Sequence, residues 1–276
     1  HSAVAQNTEV EFAPVAPPPT EVTEAPEQET EEPPVIYEPN VMDFDFDALA
    51  QSEGNASVAA VHRYVSTVTP TMKNEYTGLF RGKNLILITA EAFTAEVIDP
   101  ERTPTLYRLA TQGIQFRDYY QPAWGASTTT GEFSNLVGLV PTTAGMCMKE
   151  ATQQDLFLTM GHQLQAQNYY SAAYHNHNKD FYDRDKTHTH LGYDRFLARY
   201  GGLEGITGVF PESDLEMIDV TVPQYIDHQP FSVYYMTVSG HCMYSQKENA
   251  MARKNYDVVA GMDHCEAVKC YYASQQ

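Results

Sequence analysis

The sequence predicts an α/β fold with a mostly parallel central sheet and helices on both faces, preceded by a disordered acidic, proline-rich tail. Three observations lead there. Short apolar runs alternate with helix-like patterns from Val58 onward, as in strand–helix–strand units. The run at 85–90 is apolar at every second position of both phases, as in a strand covered on both faces. Several runs end in polar, chemistry-bearing groups, as where an open parallel sheet delivers its strand ends to one edge.

Taken in order, 85–90 reads as a central strand. Thr103 as N-cap, Pro104 at the first helical position, Leu106, Leu109 and Ala110 on one face and Gly113 at the end predict a helix. Residues 116–120 read as a second strand, 155–167 as a helix and 169–174 as a strand. A helix capped by Ser213 is expected over 213–226, and a buried strand over 231–238. There is no internal repeat.

Asp and Glu number 36 against 17 Lys and Arg, a formal net charge of −19, which argues against a nucleic-acid binder. Thirteen of the acids and none of these bases precede Arg63, together with eight of the 16 prolines. Residues 1–57 are therefore expected to be a disordered linker, and 58–276 a folded domain. With 42% hydrophobic and 12% aromatic residues the chain can build one sizeable core. No apolar run approaches the roughly 18 residues of a membrane helix, and no charged-then-apolar leader opens the sequence. The chain as it stands reads as soluble; its start at His1 suggests that upstream residues, any membrane anchor included, have been removed. Cys147, Cys242, Cys265 and Cys270 lack C-x-x-C spacing and are too sparse for a disulfide scaffold.

The residues that follow the apolar runs are candidates for chemistry. Glu91 follows the first, His175-Asn176-His177 the run at 169–174, and Ser239-Gly240-His241 the run at 231–238. A small-residue loop from Trp124 to Thr130 leads into Gly131, Glu132 and an apolar, helix-like stretch at 133–140. A hydroxyl at that helix start is either a cap or, with a metal to lower its pKa, a nucleophile whose phosphoryl adduct the free N–H groups stabilise.

These pieces, in this order, carry a resemblance: Asn84 to Phe93 with Glu91, Thr103-Pro104 with Gly113 and Phe116, the loop from Gly125 to Phe133, Tyr174-His175, Phe181-Tyr182-Asp183-Arg184-Asp185, Leu191-Gly192-Tyr193-Asp194 with Phe196, and Met236 to His241. Over about 83–272 the chain resembles the alkaline phosphatase and sulfatase superfamily, closest to the lipoteichoic acid synthase-like glycerol phosphate transferases. The resemblance implies that Glu91 and Thr128 bind a divalent metal, manganese in preference to magnesium or zinc, and that Thr128 is the nucleophile. Thr129 and Thr130 are neighbouring rivals. His241, Arg184, His175 and Tyr182 would bind the substrate, with Arg184 suited to phosphate by its planar fork. His177 stands where many members carry a carboxylate.

The implied reaction moves glycerol phosphate from an anionic, phosphatidylglycerol-like lipid to a cell-envelope polymer or glycolipid, through a phospho-threonine, at the extracellular face of a bacterial membrane. Membrane association would come through upstream segments. The family completes its metal site with a later Asp-His pair, which this chain lacks; Asp263-His264 is read as a decoy, and His188 and His190 as solvated. A sulfatase is disfavoured, because the loop lacks the C/S-x-P-x-R context that yields formylglycine. Phosphoethanolamine transfer, and a non-catalytic module that binds phospholipid headgroup or teichoic acid, are the alternatives.

Overall fold

The computed structural model describes residues 35–120, 127–142 and 147–276, so the loop residues Trp124 to Ala126 lie outside the described residues. The chain forms two compact units, His1–Leu79 and Phe80–Gln276.

Residues 1–34 lie outside the described residues; within 35–57 the first unit has helices where the sequence predicts a disordered linker. Helix α1 (Phe46–Ser52) begins where Asp45 accepts the Ala48 N–H at 2.9 Å, and α2 (Ala56–Thr67) where Asn55 accepts the Ser57 N–H at 2.9 Å. Both are side-chain N-caps that satisfy donors a helix start leaves free. Ala50 and Ala59 are buried in this hairpin, and a short antiparallel bridge joins Pro39 to Met72. The last proline of the tail is Pro39; beyond it the chain has capped helical pattern enough to order, and the second unit starts at Phe80 rather than at residue 58.

The second unit is built on four parallel strands: β1 (Leu85–Thr89), β2 (Tyr170–Asn178), β3 (Arg195–Arg199) and β4 (Phe231–Met236), in the order β1-β4-β2-β3. Its helices are α3 (Pro104–Gln112), α4 (Ser127–Val137), α5 (Cys147–Ala151), α6 (Met160–Gln165), α7 (Arg184–Thr187), α8 (Asp214–Thr221), α9 (Ala250–Asn255) and α10 (Glu266–Ser274). Strand alternation sorts β4 between two cores. Tyr234 and Met236 pack with Phe133 and Leu136 of α4, Met148 of α5 and Ala173; Val233 and Tyr235 pack with Met217 of α8, Tyr174 and Tyr225. Helices thus cover both faces of the central strands. No helix among the described residues is long and apolar enough to cross a membrane.

Three sequence expectations change. β1 is at the sheet edge among the described strands, not at the centre: Leu87 faces the first core, but Ile86 and Ile88 are 50% and 55% exposed. Residues 116–120 form no strand, and Phe116 is exposed. The helix expected over 155–167 shrinks to α6, and α3, although it starts at Pro104 and stops at Gly113, buries none of its apolar residues.

Candidate active site

All four strands run the same way, so their carboxyl ends share one edge, and the candidate residues collect there. A pocket of about 90 Å³ is lined by Glu91, Thr128, His175, His177, Phe181, Tyr182, Arg184, Phe210, Met236, Thr237, Val238 and His241. Glu91 stands two residues past the end of β1, held by its backbone N–H donating to Thr237 Oγ1 at 2.8 Å, just past the end of the neighbouring β4. Thr128, in the first turn of α4, donates from Oγ1 to Glu91 Oε2 at 3.1 Å. Thr129 and Thr130 are buried away from solvent, so of the three threonines Thr128 is the one that lines the pocket. His241 Nδ1 lies 3.4 Å from Glu91 Oε1. That hydrogen-bonding contact raises the imidazole pKa above its ordinary value, against the opposing effect of burial.

Backbone strain marks the same loops. Ala92, beside Glu91, Tyr182 and Asp183, and Cys242 and Met243, beside His241, all have positive φ without being glycine. Such conformations cost of order 1–3 kcal/mol each and persist where surrounding structure imposes them, as at ligand sites.

Beneath the pocket lies a buried polar layer that sequence reasoning did not foresee. Arg184, 2% exposed, donates to Glu132 Oε2 from Nε at 2.9 Å and from Nη2 at 2.7 Å. Tyr234 donates its hydroxyl to Glu132 Oε1 at 3.0 Å, and His188 Nε2 approaches the same oxygen to 3.4 Å. Burial alone would raise the Glu132 pKa; the Arg184 charge and the His188 contact outweigh it and hold the carboxyl far below the ordinary range. Arg184 is therefore committed to a carboxylate, rather than holding out a free fork as its sequence suggested. Its Nη1 lies 3.3 Å from His175 Nε2, while His175 Nδ1 lies 3.0 Å from Met236 O. Burial first, and then the Arg184 charge, push the His175 pKa well down, so the ring is neutral, with Nδ1 as donor and Nε2 as acceptor.

Two further carboxylates, also missed from sequence, organise the rim. Asp214, at the start of α8, accepts the Val238 N–H at 2.8 Å, the Ser239 N–H at 3.1 Å and the Asn176 side-chain amide at 2.8 Å, which fixes the loop leading to His241. Glu212 accepts from Arg199 Nη1 at 2.6 Å and meets His177 Nδ1 at 3.0 Å. Their local signal was slight: both sit in an ordinary helix-start motif, Glu212-Ser213-Asp214.

Of the other histidine expectations, His188 is corrected: it is fully buried, its ring 4.9 Å from Phe196 and 5.8 Å from Tyr234, because the segment folds under β3 and β4. His190 is half exposed on Asp155 at 2.7 Å. Asp263 and His264 are exposed and do not line the pocket, in keeping with their reading as a decoy. The carboxylate and hydroxyl of Glu91 and Thr128 are hard oxygen donors of the kind a divalent cation takes. Among the described residues no group of three or more His, Cys, Asp or Glu gathers as a metal cage; Glu91 and Thr128 supply two such oxygen donors side by side, 3.1 Å apart.

A parallel sheet whose carboxyl edge brings a helix-start threonine to a carboxylate and an imidazole defines an α/β protein of the alkaline phosphatase type. The chain belongs to the Sulfatase family, which it matches over residues 83–274. It is similar to the lipoteichoic acid synthase-like YvgJ of Bacillus subtilis, with 24% identity over 209 residues, covering 73% of this chain and 34% of that protein. Lipoteichoic acid synthase 1 of the same organism is 26% identical over 211 residues, covering 71% of this chain and 33% of that one. The crystal structure of the lipoteichoic acid synthase LtaP from Listeria monocytogenes superposes with a TM-score of 0.61 at 22% identity, covering 77% of this chain and 53% of that chain, which establishes the shared fold. The chain spans about one third of the length of these curated relatives.

Proposed function

We propose that this chain carries the phosphotransferase centre of an enzyme that moves glycerol phosphate from an anionic, phosphatidylglycerol-like lipid to a cell-envelope polymer or glycolipid, at the outer face of a bacterial membrane. The observation that carries the reading is the pairing of Thr128 Oγ1 with Glu91 at 3.1 Å in a small pocket rimmed by His241, Tyr182 and His177. Similarity to proteins named as lipoteichoic acid synthases supports this chemistry in particular.

Thr128 is the nucleophile and takes the glycerol phosphate as a phospho-threonine. Its place in the first turn of an eleven-residue helix sets free N–H groups beside the attacked phosphate, where they favour negative charge. His241 presents its imidazole to the same pocket as a hydrogen-bonding partner for the phosphate. The Arg184–Glu132 pair underlies the pocket, with Arg184 in its lining, and Tyr182 closes its side. Glu91 and Thr128 would hold a divalent ion, manganese in preference to magnesium or zinc; when bound it lowers the hydroxyl pKa and neutralises phosphate charge.

The test is release of diacylglycerol from fluorescent phosphatidylglycerol in vesicles, with manganese, by the wild type and by Thr128→Ala. Release by the wild type and its loss in the variant are expected; release by Thr128→Ala at the wild-type rate overturns the nucleophile. Release from phosphatidylethanolamine in place of phosphatidylglycerol would mark a phosphoethanolamine transferase, and vesicle binding without any release a non-catalytic module.

A further inference from the structure

The pocket holds a second imidazole with its own supporting carboxylate, which the proposed chemistry has not used. His177 lies near the end of β2, its ring edge-on to Phe181 at 5.2 Å and to Phe210 at 6.0 Å between centroids. Its Nδ1 is 3.0 Å and 3.2 Å from the two oxygens of Glu212, a residue only 1% exposed and ion-paired to Arg199 at 2.6 Å. Burial would raise the Glu212 pKa, but the hydrogen bond with His177 and the Arg199 contact lower it overall, so Glu212 is a carboxylate. A carboxylate accepts only, so Nδ1 carries the proton and Nε2 is the atom left for the pocket. The ring is clamped and its tautomer set, as in catalytic imidazoles that an acidic residue orients.

We propose that His177 is the proton carrier of the reaction: Nε2 protonates the oxygen that leaves phosphorus and later takes the proton of the acceptor hydroxyl. This rests on the phosphotransferase reading of the same pocket. His177 and Thr128 line the same pocket, so a phosphoryl group carried on Thr128 shares that pocket with the His177 ring.

In the first half-reaction the Thr128 Oγ–P bond forms as the bond from phosphorus to the diacylglycerol oxygen breaks. That oxygen departs with the proton of His177 Nε2, and the Thr128 proton passes to solvent. In the second, the acceptor hydroxyl gives its proton to Nε2, its oxygen bonds to phosphorus, and Thr128 Oγ leaves and regains a proton from solvent. Glu212 balances the positive charge whenever both ring nitrogens are protonated. Arg184 and His175 cannot do this work: one is always cationic, and the other is held neutral with both nitrogens engaged. The charged or titratable groups around His177 are His175 on its own strand, Glu212 with Arg199 behind it, Arg184 from α7, and His241 beyond Phe210, whose ring lies 5.8 Å from that of His241.

Two substrates with the same headgroup separate a proton carrier from a binding or structural residue. A lipid alkoxide needs a proton to leave; p-nitrophenolate does not. The chain is assayed with manganese on fluorescent phosphatidylglycerol and on the p-nitrophenyl ester of glycerol phosphate, as wild type, His177→Gln and Glu212→Gln. Expected for His177→Gln is a fall in kcat of about 100-fold or more on the lipid, a loss at least tenfold smaller on the p-nitrophenyl ester, and disappearance of the alkaline limb of the lipid pH–rate profile. Glu212→Gln should show the same pattern, weaker. Equal losses on both substrates, or an unchanged pH profile, overturn the proposal while leaving Thr128 as nucleophile. A wild type inactive on both overturns the phosphotransferase reading and this proposal together.

Discussion

Replacing Arg184 with Met separates two views of this residue. If its fork is free for phosphate, the change costs affinity and little stability. If it is the partner of Glu132, the change leaves a carboxylate that is 1% exposed with only the Tyr234 hydroxyl and the His188 approach at 3.4 Å. Breaking a buried ion pair by removing one partner costs about 3–5 kcal/mol, because the remaining charge has lost both its water and its counter-charge. Two Arg184 hydrogen bonds, at 2.9 and 2.7 Å, go at once. The expected loss for Arg184→Met is therefore about 3–5 kcal/mol in urea unfolding followed by far-ultraviolet circular dichroism. The double variant Arg184→Met with Glu132→Leu should recover most of it, short of about 1 kcal/mol for the stranded Tyr234 hydroxyl.

The pH dependence has a definite sign. The folded Glu132 pKa is depressed, so its contribution is complete above the ordinary value of 4.5 and is lost as pH falls through the folded value. Arg184→Met removes the main depressing charge, so the variant should lose less stability than the wild type between pH 5 and the acid limit. A loss under about 1 kcal/mol for Arg184→Met at pH 7 would refute the clamp.

Two other consequences can be checked in the same protein. His175 has a depressed pKa, so the stability it lends is present above the ordinary value of 6.5 and declines below it; its ring resonances should stay those of the neutral form through pH 6.5, and a midpoint near 6.5 would contradict its buried, neutral state. Gly192 has φ of +87°, and a Cβ there would run into the backbone of Gly161 and His162, so Gly192→Ala should cost about 1–3 kcal/mol in thermal unfolding, whereas Gly205→Ala, where a Cβ meets nothing within 4 Å, should stay within about 0.5 kcal/mol.

The sequence carried the strands that are apolar runs and the edge where chemistry collects. β1, β2 and β4 each begin within a residue of their expected starts; His175 and His177 lie within the last four residues of β2, and Glu91 and His241 in the segments that follow β1 and β4, near the edge the sheet rule points to. Sheet order was not legible, because it depends on pairings between distant segments; an apolar run such as β1 reads as central even when Ile86 and Ile88 face outward. β3 escaped notice because arginines at both ends of Arg195–Arg199 mask a short apolar middle. Phe116 misled in the other direction, aromatic yet exposed. The hidden part of the site is its carboxylates. Glu132 meets Arg184 from 52 positions away and Glu212 meets His177 from 35, and no local pattern announces such partners.

Thr128 and Glu132 stand one turn apart on α4, one facing the pocket and the other sealed in the core with Arg184. A rotation of that helix large enough to misplace the hydroxyl would also drag a carboxylate off its guanidinium. Damage to catalytic alignment at this helix is therefore coupled to damage in folding, so a variant that loosens it should disappear from the soluble pool before it can persist as a slow enzyme.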